Sequence, residues 1–217
     1  MELISIALAR LTALIQFQEW DPFGKASTLE ALAKLGGRYS FAKSPTALGE
    51  IDFQKGIELF EGHLGEVRID KLAIYLNGIV IDTRSSTEDC EKVLDDIVAL
   101  AHEAFGAKIT PARHSFASHI IFRSQMRLFD LNPVLSGIAK TLTERSSADL
   151  KHPFIFEPTT VLFNVDSSQV KLAPQVFSIE RRAEIPFAEN TYFSGAPLRT
   201  GEHIELLRTF ESAITER

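Results

Sequence analysis

The chain has 217 residues, 45% of them hydrophobic and 24% charged, with a net charge of −6 and a pI near 5.6. This is an ordinary globular composition, long enough for one large domain or two small ones. It excludes a nucleic-acid or acidic-membrane surface spread over the whole molecule, while leaving room for a local basic patch. The single cysteine, Cys90, cannot form an internal disulfide, which points to a cytoplasmic protein. No stretch reaches the roughly eighteen uncharged apolar residues of a membrane span, so a soluble protein without membrane contact is expected. The apolar run from Leu3 to Ala9 lacks a preceding basic residue, and Glu2 has the wrong sign for a secretion signal.

Residues Met1 to Trp20 carry two patterns at once. Glu2, Ser5, Ala9, Thr12, Gln16 and Glu19 follow a helical spacing, while Leu11, Ala13, Ile15 and Phe17 alternate as in a strand. The expectation is a strand through Leu11 to Gln18, with room for a helical turn before it, ended by Asp21-Pro22. Gly24-Lys25 is not a phosphate loop, because Glu19 stands where that motif needs glycine and Ala26 where it needs Ser or Thr. A short helix over Thr28 to Tyr39 turns Leu29, Leu32 and Leu35 inward, with Gly36-Gly37 as its expected stop. The segment from Gly36 to Gly65 is expected to be a glycine-punctuated loop leading into a hairpin. In that hairpin Ile57 to Glu61 pairs across Gly62-His63-Leu64-Gly65 with a strand starting at Glu66.

The clearest signal lies between Glu66 and Gly106. Leu72, Ile74 and Leu76 alternate on one arm and Ile79, Ile81 and Thr83 on the other, around Asn77-Gly78, which suits a two-residue type I′ turn. That turn would pair Leu76 with Ile79, Ile74 with Ile81 and Leu72 with Thr83, all on the core face. The opposite face carries Ala73, Tyr75, Val80 and Asp82, a mixed surface. Val67 and Ile69 sit out of phase with Leu72, so a bulge near Asp70-Lys71 is expected. A helix follows, with Ser85 or Ser86 as cap, Cys90, Val93, Leu94, Ile97, Val98, Ala101, Ala104 and Phe105 as inner stripe, and Gly106 as stop.

Beyond Gly106, Phe116, Ser118, Ile120 and Phe122 share one face of a strand, with Ala117, His119, Ile121 and Arg123 on the other. Asn132 caps a helix with Pro133 at its first position, and Leu131, Leu135, Ile138 and Leu142 form its expected inner stripe. Glu144 to Lys151 reads as a surface loop and the expected boundary of any subdivision. Five of the nine prolines fall between Pro153 and Pro197, which predicts short strands around Val161–Val165, Phe177–Ile179 and Asn190–Leu198. A final helix from about Thr200 turns Ile204, Leu207, Phe210 and Ile214 inward. The sum is an α+β fold, antiparallel sheet with helices packed on one side, built around a β-hairpin followed by a long amphipathic helix. It is expected as one domain over 1–217, divisible at most into 1–110 and 111–217.

Chemistry is sparsely marked. The six histidines, His63, His102, His114, His119, His152 and His203, show no metal-ligand spacing, and neither a nucleophile elbow nor a dinucleotide fingerprint occurs, so no metal and no cofactor are expected. Cys90 sits on the apolar stripe among acids, the setting of a structural thiol. Between Glu103 and Asp130 there is no acidic residue, while Lys108, Arg113, Arg123 and Arg127 stand with His114 and His119. That segment is the candidate anion site, for a phosphate, a nucleotide or an acidic partner face. Its bland counterpart is a strip neutralised by Asp95, Asp96 and Glu103. His119 and Arg123 would share a strand face about 13 Å apart at about 3.3 Å per residue. Arg181-Arg182 reads as an exposed strand with solvated ion pairs. Tyr75, Val80 and Asp82 are the candidate partner face.

Three functions are consistent with these features. The first is a non-enzymatic interaction or assembly module of a cytosolic complex, with a protein partner or a second copy of the chain. Sixteen Phe against three Tyr and one Trp and the half-apolar outer hairpin face favour it. The second is a hydrolase, transferase or binding protein for a phosphorylated or acidic small molecule, acting through 108–127. Nucleic-acid binding is third, disfavoured by the acidic whole.

Overall fold

The computed structural model describes residues 1–15, 28–45, 51–52, 54–106, 109, 111–166, 168 and 173–215. In chain order the elements are β1 (Glu2–Ile15), α1 (Thr28–Tyr39), β2 (Ile57–Leu64), β3 (Val67–Tyr75), β4 (Gly78–Thr83), α2 (Thr87–Phe105), β5 (Pro111–Arg123), α3 (Pro133–Leu150), β6 (Thr160–Phe163), β7 (Phe177–Arg181), β8 (Thr191–Ala196) and α4 (Thr200–Thr215). The strands run in the order β2-β3-β4-β1-β5-β8-β7-β6, and the described pairings are antiparallel, so the fold is α+β. The chain forms two compact units. One holds 6–118 and 197–201; the other holds 1–5, 119–196 and 202–217. Among the described residues no helix is long and apolar enough to cross a membrane.

In the unit holding 6–118, the alternate residues Ala9, Leu11, Ala13 and Ile15 of β1 are buried beside Leu72, Ile74, Ile79 and Ile81 of β3 and β4. Cys90, Val93, Leu94 and Ile97 of α2, with Leu32, Leu35 and Tyr39 of α1, close over them. Each large side chain so buried contributes about 1.5–3 kcal/mol before entropy is subtracted. Ser86 caps α2, its hydroxyl accepting from the Asp89 N–H at 3.0 Å, and Gly106 ends it at φ 67°. At the same end of α2, the buried Thr87 and Thr200 each accept the other's backbone N–H through their hydroxyls, at 2.7 and 3.0 Å.

The hairpin keeps its expected core face but shifts its turn. Tyr75 pairs with Gly78 and Ile74 with Ile79, so Leu76 and Asn77 are the turn residues and Leu76 is exposed. Neither turn residue has positive φ. The reason is β1: Gly78 pairs with Leu14, and a β-carbon there would lie 2.5 Å from the Ala13 carbonyl oxygen. The glycine therefore lets β1 approach, while the Asn77 carbonyl accepts from the Ile15 N–H at 3.0 Å. Because the pairing moves by two residues, Leu72 and Ile81 stay on the same face. The bulge falls at Asp70, where the register shifts between Ile69 and Lys71. β2 extends to Leu64, so the turn into β3 is Gly65-Glu66 alone.

Two further expectations fail near the start. β1 is one continuous strand from Glu2, because its burial alternates along the whole second half and neighbouring strands supply its hydrogen-bond partners; residues 16–20 lie outside the described residues. Gly36-Gly37 does not stop α1. Helix continues to Tyr39, whose hydroxyl donates to Asp96 at 2.7 Å, and Ser40 at φ 52° makes the stop.

In the unit holding 119–196, Ile120, Phe122, Met126, Leu128, Ile179, Tyr192 and Leu207 make a second core, with Ile204, Phe210 and Ile214 of α4 partly buried against it. Asn132 caps α3 as expected, accepting from the Val134 N–H at 2.9 Å. The rest of α3 departs from expectation. Glu144 to Leu150 is helix rather than loop, and Lys151 at φ 49° ends it. Leu135, Ile138 and Leu142 are not an inner stripe: all three are exposed, and Ala139 is the buried residue of the helix.

Candidate functional site

The described residues of the candidate basic segment divide between the two units. Lys108 lies outside the described residues. Arg113 and His114 are exposed on β5 in one unit, with His114 edge-on to the Phe116 ring. His119, Arg123 and Arg127 belong to the other unit. There Arg123 faces Glu2 at 3.4 Å, Arg127 donates to Glu157 at 3.0 Å, and His119 bonds Gln175 and meets the Phe193 ring. Of the helix acids, Asp96 is engaged elsewhere, by Arg38 and Tyr39.

On the outer face of the hairpin, Tyr75 and Val80 are half-buried, and Asp82 is buried beneath a two-pronged hydrogen bond from Arg10, at 2.6 and 2.7 Å. Next to it in the register Lys71 pairs with Glu58. The Asp82 carboxylate of the candidate partner face is thus spent on a cross-strand ion pair. Arg181 also departs from its solvated reading. Its side chain is 4% exposed, between the Phe187 and Tyr192 rings, bonded to Glu157 at 2.8 Å and to the Phe187 carbonyl at 2.8 Å. A guanidinium stacked on rings and forked to a carboxylate is a structural pin.

Helix α3 has the feature that most needs explaining, because its polarity is inverted. The side turned toward its own unit is made of small and polar residues, Ser136, Ala139, Thr143 and Ser147. Their hydroxyls work on backbone: Ser136 donates to the Phe129 carbonyl, Thr143 accepts from Phe156 N–H and Ser147 from Phe154 N–H, both at 3.0 Å. The side turned to solvent carries Val134 (69% exposed), Leu135, Ile138 (52% exposed) and Leu142. An ordinary surface helix does the reverse. Beside it runs the segment those hydroxyls hold, presenting Ile155 (73% exposed) and Phe156. Between them lies a groove of about 250 Å³, lined by Phe129, Thr143, Ile155 and Phe156 with Arg127, Lys140, Glu144 and Glu157 at its rim. Farther along, β6 also exposes Leu162 and Phe163. The sequence shows the α3 stripe plainly; its direction, and the part played by Ile155 and Phe156, are not written in periodicity.

Nucleophile chemistry finds little support. Burial pushes the Cys90 thiol up to about 12, and its sulfur donates to the Ala9 carbonyl. Ser194 lies 2.9 Å from His203 Nε2, a pair that resembles a catalytic dyad in distance alone. Both residues are fully buried, and the serine hydroxyl donates to the Ser178 carbonyl at 2.6 Å, so the imidazole is not its base. Among the described residues no group of three His, Cys, Asp or Glu side chains could hold a metal ion. No protein-family model matches the sequence, and no curated protein matches it.

Proposed function

We propose that this protein is a non-enzymatic interaction and assembly module of a cytoplasmic protein complex, seated on its partner through the outward face of α3. The observation that carries this reading is the inversion of that helix. A free monomer gains nothing by turning Val134, Leu135, Ile138 and Leu142 outward; a partner that buries the apolar face gains about 25 cal/mol for each Å² of it. The spacing of Leu135, Ile138 and Leu142 at three and seven residues is that of an amphipathic helix laid into an apolar groove, so the partner is expected to present such a groove. The cap at Asn132 and the hydroxyl bonds to Phe154 and Phe156 form the surface before binding, which lowers the ordering cost.

Light scattering on the purified chain, together with capture from native lysate, tests the reading. The wild type is expected to exceed the 24.2 kDa monomer or to retain a discrete protein, and the double variant Ile138→Glu/Leu142→Glu is expected to lose that species with its circular dichroism unchanged. A monomer that captures nothing, or a variant that captures the same protein equally well, contradicts it.

A further inference from the structure

A second feature, independent of α3, lies at the bulge in β3. We infer that the cluster Lys43, Arg68 and Arg84 around Asp70 is a binding site for a small phosphorylated molecule whose phosphate is attached to an apolar or aromatic group. Five observations converge on it. Asp70 is the extra residue of the bulge, a device that re-aims one side chain out of the ladder. On β2, between the pairs Phe60–Lys71 and Gly62–Ile69, the residue facing it is Glu61, a non-glycine residue held at φ 59°. Backbone in this region is strained and persists where its surroundings hold it.

The third observation is the way the arginines are held. Arg84 Nε donates to Asp70 Oδ2 at 2.7 Å, and Arg68 Nε faces Oδ1 at 3.3 Å. One carboxylate thus orients two guanidinium groups by their inner nitrogens. Among the described residues their terminal nitrogens make no hydrogen bond, so on these exposed side chains two pairs of donors are open to an anion. A tetrahedral phosphate dianion accepts from such forks, where a single carboxylate cannot use both.

Fourth, the charges do not cancel: Lys43, Arg68 and Arg84 stand against Glu61 and Asp70, three against two, a net of +1 in a chain of net −6. Lys43 lies 3.6 Å from Glu61, too long for a tight pair and free to swing its ammonium toward an anion. Fifth, these five side chains and Phe60 line a recess of about 300 Å³, at the lower end of the roughly 300–1,000 Å³ of small-molecule sites. Phe60 supplies its apolar wall, which is why the phosphate is expected to bear an apolar or aromatic group rather than to be inorganic phosphate alone.

Calorimetric titration of the full chain with phenyl phosphate, and separately with inorganic phosphate, tests the inference. Saturable binding of phenyl phosphate is expected, tighter than that of inorganic phosphate, and weakened at least tenfold in both Arg68→Met and Arg84→Met with their thermal midpoints unchanged. Arg113→Met, on β5, is expected to bind as the wild type does. No saturable heat at millimolar phenyl phosphate overturns the inference, as does wild-type affinity in Arg68→Met or Arg84→Met.

Discussion

A β-carbon placed on Gly78 falls 2.5 Å from the Ala13 carbonyl oxygen, so Gly78→Ala forces β1 away from β4. The expected cost is about 1–3 kcal/mol, in the range of overpacked interiors. Asn77→Ala, at a turn position without positive φ, is expected to cost less than about 0.5 kcal/mol. Urea denaturation of the two variants measures the difference; a costly Asn77→Ala with a harmless Gly78→Ala would restore the type I′ turn. The Asn-Gly pair locates the hairpin correctly in the sequence because both uses of glycine, turning and close approach, demand the same missing side chain. Which use applies depends on β1, more than sixty residues away, and no local pattern carries it. Cys90 was legible for the opposite reason: its place on the α2 stripe sets its burial. With the thiol pushed up to about 12, it is expected to resist alkylation at pH 8 in the folded chain and to react fully in denaturant, as mass spectrometry would show.

At the scale of elements, α2 and α3 make an instructive pair. Both are capped by the residues the sequence proposes, Ser86 and Asn132, and both carry apolar residues three and four apart. Caps are local chemistry and are therefore readable: a side-chain oxygen must answer a free N–H within a few residues of itself. The direction a stripe faces is not local. Cys90, Val93, Leu94 and Ile97 meet the β1, β3 and β4 residues that bury them, whereas Leu135, Ile138 and Leu142 stay exposed and join neither core. Substitution separates the two cases. Ile97→Asp places a charge in a closed core and is expected to leave the protein insoluble or unfolded; a soluble variant with wild-type circular dichroism contradicts that assignment. Ile138→Glu is expected to change thermal stability by less than about 0.5 kcal/mol, because the side chain is already in water.

For the whole molecule, charge is distributed by pairing rather than by region. The acid-free run that ends before Asp130 looks like a basic patch in the sequence, yet two of its arginines, Arg123 and Arg127, answer carboxylates from elsewhere, Glu2 and Glu157, which a one-dimensional count cannot foresee. The same long-range pairing gives the unit holding α1 and α2 a pH dependence. The hydrogen bond from Arg38, joined by that of Tyr39, holds the Asp96 carboxyl below its usual range, and burial raises the Tyr39 phenol. A depressed carboxylate stabilises the fold above its unfolded value near pH 4 and loses that contribution as the pH falls through its lower folded value. A raised phenol gives stability that is present below about pH 10 and lost as the pH climbs above it. The wild type is therefore expected to be more stable than Asp96→Asn at pH 7, with the gap closing in thermal melts as the pH falls below the ordinary carboxylate range; a gap unchanged by acid contradicts the pairing.

Placing a photo-reactive amino acid at position 138 of the chain in living cells tests the central claim, that the outward face of α3 is a protein interface, most directly. Irradiation is expected to give a covalent adduct of discrete mass, absent when the same group stands at the exposed position 208 of α4. No adduct at 138, or the same adducts from both positions, contradicts the account.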